Sequence, residues 1–234
     1  MAKDWPDFWR QKNEFDNSMN VNYNYFLQRV EKYVTPDENS MVLDIGSGPG
    51  NLEDAWFEKV REIHGVDISE RYNTLGREKH KDHPNVFFHD LDAGDYLNFS
   101  MLQGKKFDII IVMSVLQYYH NKDEIVELLK NIRFLSAPGA KILLCDLIVQ
   151  HSILTEVFQV FLAYMKAGKF FSALSLFFRL RFSSYYKVKK NNGFLMLTLN
   201  EWKSLLTQLN VNFVLLEEPL TLQKSRKNIL ISME

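Results

Sequence analysis

Four consecutive residues, Ile109, Ile110, Ile111 and Val112, constrain this chain more than any other feature. A strand that is apolar on both faces must be covered on both. That is the situation of a central strand in a parallel sheet. The run sits within a regular alternation. Met41 to Ile45, Glu62 to Ile68, Asn85 to Leu91, Phe107 to Val115 and Lys141 to Ile148 read as short strands. Between them, Asn51 to Val60, Glu70 to His80 and Asp123 to Leu135 read as helices. The last carries Ile125, Leu128, Leu129 and Ile132 on one side. Asn200 is expected to cap a further helix through Leu209, before strands at Asn212 to Glu217 and Asn228 to Met233. This alternation predicts an α/β fold: a doubly wound, seven-stranded, mostly parallel sheet. Ligands of such sheets bind beyond the carboxyl ends of the strands.

Three segments are expected. Residues 1–37 form an N-terminal helical arm, with Asn20 capping a helix that carries Val21, Tyr25, Phe26, Val30, Tyr33 and Val34. Residues 38–150 and 196–234 form the core. Residues 151–195 form a helical insertion that packs over the ligand edge as a cap. With 18 Phe among 234 residues, the chain can bury a large core and still line an apolar pocket. A net charge of −1 gives no overall attraction to nucleic acid. Cys145 has no partner for an internal disulfide and fits a reducing compartment. The acidic N-terminus does not resemble a signal peptide, and no apolar run reaches spanning length. A soluble, cytoplasmic protein is expected.

The chemistry concentrates at Val42-Leu43-Asp44-Ile45-Gly46-Ser47-Gly48-Pro49-Gly50, where the first strand turns into a helix. Glycines at 46, 48 and 50 let the backbone turn tightly and approach a ligand. Asn51 stands where a dinucleotide fingerprint needs its last glycine, so the spacing is G-x-G-x-G and argues against an NAD-linked oxidoreductase. Asp67 lies 21 residues after Gly46 (67 − 46), at the end of the second strand. An acid there can accept hydrogen bonds from a ribose diol. His89-Asp90-Leu91-Asp92 follows the third strand, where a carboxylate can accept from the amine of adenine or remain a solvated loop acid.

VLDIGSGPG, GVDIS, FFHDLDA, FDIIIVMSVLQYY and LLKNIRFLSAPGAKILLCD together resemble the motifs of class I S-adenosylmethionine-dependent methyltransferases. The resemblance is close over 38–148 and looser over 196–234, where Asn210-Val211-Asn212 replaces the family's Ala-Gly. It implies a Rossmann-like methyltransferase fold with S-adenosyl-L-methionine as cofactor. By this resemblance Gly46, Ser47, Gly48 and Gly50 approach the methionine part, and Asp44 orients its ammonium group directly or through water. Asp67 holds the ribose, Ile68 packs on adenine, Asp90 accepts from the adenine amine, and the Leu91 backbone reads the ring. Met113 or Ser114 faces the sulfonium. An aromatic of the arm closes over the cofactor, with Tyr25, Tyr23 and Trp9 as candidates. On this placement Gly48→Val should block cofactor binding. Asp67→Ala should weaken it while leaving the melting temperature nearly unchanged.

The expected reaction is in-line methyl transfer to a small, apolar or aromatic molecule. A lipid or membrane-associated acceptor and a non-catalytic cofactor-binding protein are the alternatives. A general base is needed only for a nucleophile that arrives protonated, and His120 and His151 are the candidates. Tyr118 and Tyr119 either stack on an aromatic substrate or pack against the insertion. His80, His83 and His89 match no closed zinc spacing, so no metal is expected. Within the insertion, Ile153 to Met165 is apolar nearly all round a helix, and 151–190 holds seven Lys or Arg against one acid, Glu156. A cap over an apolar small molecule is favoured there. A peripheral membrane contact and a homodimer contact are the other readings.

Overall fold

The Ile109–Val112 run lies in the middle of a seven-stranded sheet of order β3-β2-β1-β4-β5-β7-β6. The structure is a computed structural model that describes residues 2–11, 19–149 and 184–234. Its strands are β1 (Met41–Ile45), β2 (Glu62–Asp67), β3 (Val86–Asp90), β4 (Phe107–Met113), β5 (Ser136–Leu147), β6 (Asn212–Leu216) and β7 (Lys227–Ser232). Only β7 runs against its neighbours, pairing antiparallel with β5 and β6. The helices among the described residues are α1 (Trp5–Arg10), α2 (Met19–Val30), α3 (Asn51–Trp56), α4 (Glu70–Lys79), α5 (Lys122–Leu135), α6 (Ser184–Asn192) and α7 (Leu199–Gln208).

Alternation along the strands builds two cores. Leu43, Ile45, Ile110 and Val112 face α5 and α7, where Ile125, Leu128, Trp202 and Leu206 meet them. Val42, Ile109, Ile111 and Met113 face Phe26 and Val30 of α2 and Leu52 and Trp56 of α3. Each fully buried Ile or Leu contributes about 1.5–3 kcal/mol, so β4, covered on both sides, anchors the sheet. Cys145 lies in the second core as an apolar filler.

The structure corrects several expected boundaries. Asn20 is the second residue of α2 and not its cap, and Tyr33 and Val34 lie beyond its end. α3 stops at Trp56, and the Asn85 side chain donates to the following carbonyls of Phe57 (2.7 Å) and Val60 (3.2 Å). Thr198, not Asn200, caps α7, through a reciprocal box with Glu201. β5 begins already at Ser136. It bulges through Pro138 and Gly139 (φ +77°) before pairing regularly from Lys141. The expected helix over 153–165 and most of the expected 151–195 insertion lie outside the described residues. No helix among the described residues is long and apolar enough to cross a membrane.

Candidate active site

The carboxyl ends of β1, β2 and β4 surround a cleft of about 290 Å³. The turn after β1 shapes one side. Gly46 (φ +78°), Gly48 (φ +53°) and Gly50 (φ +80°) are all left-handed. The turn is pinned to β2 because the Gly46 and Ser47 N–H groups both donate to the Val66 carbonyl (2.8 and 3.2 Å). A Cβ on Gly46 would lie 2.1 Å from Val115 Cγ2, whereas one on Gly48 would project into open space. Gly46 thus serves packing, and Gly48 leaves room at the cleft wall, which both line.

Asp67 lies beside this turn. Its Oδ2 accepts from the Gly48 N–H (2.9 Å) and its Oδ1 from the Ser69 N–H (2.7 Å). Burial raises its carboxyl above the ordinary value, and these two donors pull it back. Each oxygen keeps a lone pair for a further donor. Asn73 of α4 ties β2 to β3 by donating to the Asp67 and His89 carbonyls (2.9 and 3.0 Å). Ile68, Tyr72, Leu91 and Tyr96 complete this apolar half of the cleft.

Beneath the turn lie polar groups with no water contact. Asp44 and Glu53 are fully buried, and none of their four carboxylate oxygens has a hydrogen-bond partner on another residue. Ser47 Oγ is likewise buried and unpartnered. Burial, then the charge of Asp67, pushes Asp44 up to about 8. Burial, then Asp44, holds Glu53 well above the carboxylate range. Orphaned buried acceptors of this kind are costly, and a cationic ligand at the turn would offset that cost.

The opposite half of the cleft is aromatic. Trp5 and Trp9 of α1, Tyr118, Tyr185 of α6 and Phe194 line it, with Trp5 stacked on Phe194 at 5.1 Å. The Trp5 indole N–H donates to the Gly193 carbonyl (2.9 Å), which fastens α1 to the end of α6. Between the halves stand Met113, Ser114 and Asp146. Ser114 (φ +58°) and Asp146 (φ +64°) are both left-handed without being glycine. Such conformations cost about 1–3 kcal/mol each and persist where surrounding contacts fix them. Here Ser114 Oγ donates to Asp146 Oδ2, Thr221 Oγ1 donates to Asp146 Oδ1 (both 2.8 Å), and the Asp146 N–H donates to Asn228 (3.1 Å).

The expected site residues divide accordingly. Gly46, Gly48, Asp67, Ile68, Leu91, Met113, Ser114, Tyr118 and Tyr119 all line the cleft. Asp44, Ser47 and Gly50 lie behind its wall, close under the turn. Three expected residues stand apart from the cleft lining. Asp90 does not line the cleft; it accepts from Asn73 (2.8 Å) and pairs with Arg77 (3.1 Å). Tyr25 lies under the Arg29 guanidinium at 3.5 Å, while Tyr23 and Trp9 reach the cleft. His120 is 61% exposed and bonded to the Tyr96 hydroxyl (2.7 Å), beyond the cleft wall. His151 lies outside the described residues. His80 faces Asp54 (2.9 Å), and His89 faces His64 (2.9 Å). Asp146, Tyr96, Trp5 and Arg226 were not anticipated. An acid ending the apolar run of β5 was the available signal for Asp146.

Residues 43–142 match the family model described as a methyltransferase domain. No curated protein matches the sequence. Among solved structures, the YcgJ protein from Bacillus subtilis shares 18% identity at a TM-score of 0.56, over 82% of this chain and 70% of that one. A Haemonchus contortus phosphoethanolamine N-methyltransferase 2, solved with phosphomonomethylethanolamine and S-adenosylhomocysteine, shares 18% identity at 0.57. That match covers 83% of this chain but 38% of the enzyme. The N-methyltransferase NodS from Bradyrhizobium japonicum, solved with S-adenosylhomocysteine, shares 14% at 0.56, over 94% of this chain and 91% of that one.

Proposed function

We infer that this chain, whose residues 43–142 match a methyltransferase domain, is a class I S-adenosylmethionine-dependent methyltransferase that methylates a small apolar or aromatic molecule. One observation carries the reading. A single cleft runs from the glycine turn and Asp67, past Met113 and Ser114, to the aromatic wall of Trp5, Trp9, Tyr118 and Phe194. The residues present suit the cofactor. Gly48 leaves open space, Asp67 can accept from a diol, Ile68 and Leu91 offer apolar faces, and the acids under the turn complement an ammonium group. The cofactor supplies an electrophilic methyl on a sulfonium.

The protein's part is positioning. The aromatic wall holds the acceptor flat and excludes water, and Ser114, fixed by Asp146, sets the height at which the nucleophile rests. Alignment of this kind is worth about 7–11 kcal/mol of barrier. We place the reaction in the cytoplasm, in keeping with the lone buried thiol of Cys145. For residues 151–190, with seven Lys or Arg against one acid, a lipid surface and a second copy of the chain are the alternatives to a cap over the acceptor.

The test is incubation of the protein with cell extract and cofactor carrying an isotopically labelled methyl. A labelled metabolite of low mass and aromatic or apolar character supports the reading. Label found only in protein, nucleic acid or polar sugars contradicts it.

A further inference from the structure

The fold leaves one group of side chains unexplained by packing. Asp44 on β1 lies opposite Gly65 of β2 in the sheet register. Gly65 is where Glu53 and Ser47 converge. A Cβ there would lie 2.4 Å from Glu53 Oε1 and 2.8 Å from Ser47 Oγ. A gap opened by a missing side chain is thus filled by a carboxylate from α3 and a hydroxyl from the turn. Asp44, Ser47 and Glu53 are each 0% exposed, and none of their side-chain oxygens has a partner on another residue. A hydrophobic residue at 53 would pack this gap at less cost, as Leu52 and Trp56 do beside it.

We propose that Asp44 and Glu53 act as one proton-holding unit beneath the glycine turn, which surrenders a proton when the ammonium end of S-adenosylmethionine or S-adenosylhomocysteine arrives above it. The inference rests on the cofactor reading given above and extends it to Glu53, a residue of α3 behind the cleft wall. The charged groups acting on Glu53 are Asp44, Asp54 and Asp67, all acids, with Asp54 itself paired to Lys79 and His80. On the remaining sides stand Tyr23 of α2, whose phenol is kept neutral by burial and by Asp44, Glu53 and Asp67, and the buried Cys145 of β5. Two adjacent buried carboxylates cannot both ionise in such surroundings without a counter-charge, so they retain a proton. A ligand cation at the turn supplies the counter-charge and lowers the affinity of the pair for its proton. The proton leaves to solvent, and the carboxylate charge it leaves behind faces the ammonium. Binding therefore tightens as pH rises toward neutrality.

Calorimetric titration of the full-length protein with S-adenosylhomocysteine tests this in two buffers at about pH 7, phosphate and Tris, which differ in ionisation heat. The control ligand is 5′-methylthioadenosine, which keeps the adenosine and lacks the amino-acid end. The expected result is a buffer-dependent heat for S-adenosylhomocysteine that corresponds to proton release, and none for the control. Affinity for S-adenosylhomocysteine should also tighten between about pH 6 and about pH 7.5, by up to about tenfold per unit for each proton released. Glu53→Gln should shrink both effects while the protein still melts cooperatively. Equal heats of S-adenosylhomocysteine binding in the two buffers overturn the inference, as does full proton release retained in Glu53→Gln. The comparison of the two ligands on the unaltered protein stands even where that variant fails to fold. If neither nucleoside binds, the cofactor reading itself fails, and the inference falls with it.

Discussion

The backbone N–H of Gly48 donates to Oδ2 of Asp67 at 2.9 Å, so the protein's own contacts join the glycine turn after β1 to the acid ending β2. Asp67 is therefore both a wall of the cleft and a brace for its floor. The expectation that Asp67→Ala would leave the melting temperature nearly unchanged does not suit this geometry. Hydrogen bonds to a charged acceptor contribute about 1.5–3 kcal/mol each, and Asp67 accepts two from backbone. Asp67→Ala should lower the melting temperature of the free protein by about 4 °C or more and weaken S-adenosylhomocysteine binding at least about tenfold. Differential scanning fluorimetry and calorimetry read the two effects separately. Unchanged melting would mean that the brace carries no load.

Gly46 and Gly48 should respond differently to the same change. Gly46→Ala drives a methyl into Val115 Cγ2, at 2.1 Å, and should destabilise the protein by several kcal/mol. Gly48→Ala meets open space and costs about 1–2 kcal/mol for its left-handed backbone alone. It should fold yet bind the cofactor poorly, and Gly48→Val should block binding. Melting curves of the two alanine variants decide this, and equal losses of stability would contradict it.

Asp44 has a stability signature of its own. Its folded-state carboxyl is raised from 3.8 to about 8, so the folded protein holds a proton that the unfolded chain gives up. Between those two pH values the unfolded state gains on the folded one with each unit, and above about pH 8 the penalty is constant. Asp44→Asn removes this penalty. The variant's melting temperature relative to wild type should therefore climb between about pH 5 and about pH 8. A difference that stays flat across that range would contradict the burial argument.

The start of α7 separates a sequence pattern from its local chemistry. The Glu201 N–H donates to Thr198 Oγ1 at 3.2 Å, and Glu201 Oε2 accepts from the Thr198 N–H at 2.7 Å. Thr198→Ala should cost about 1 kcal/mol, and Asn200→Ala, in the first turn, well under half of that. Chemical denaturation of the two variants checks the order.

Capping shows how far the sequence alone could be read. The central strand was legible because Ile109–Val112 is β-branched throughout and apolar on both faces, and a short run of that kind suits a strand covered on both sides. Helix ends were not, because Thr198 and Asn200 are both good caps and only the reach of Glu201 chooses between them. Gly46, Gly48, Asp67 and Ile68 were legible as one wall since the turn forces them together. The position of Asp90 and Tyr25 apart from the cleft lining was not legible because each is close in sequence to a residue that does face the cleft, Leu91 next to the one and Tyr23 two positions from the other. Partners distant in sequence or one turn away decide those orientations: Arg77 draws Asp90 outward, and Arg29 covers Tyr25. Asp146 was not legible because its site depends on strain at Ser114 and on Thr221, which lies 75 residues away. The buried Glu53 has no periodic signature at all, since it occupies space that exists only because residue 65 is glycine.

The most direct measurement is a crystal structure with S-adenosylhomocysteine bound. The ribose hydroxyls should lie within hydrogen-bond distance of Asp67, the adenine against Ile68 and Leu91, and the amino-acid end over Gly46 and Gly48, with sulfur turned toward Ser114. Density for the ligand elsewhere on the protein, or a cleft left empty at saturating ligand, would contradict the account.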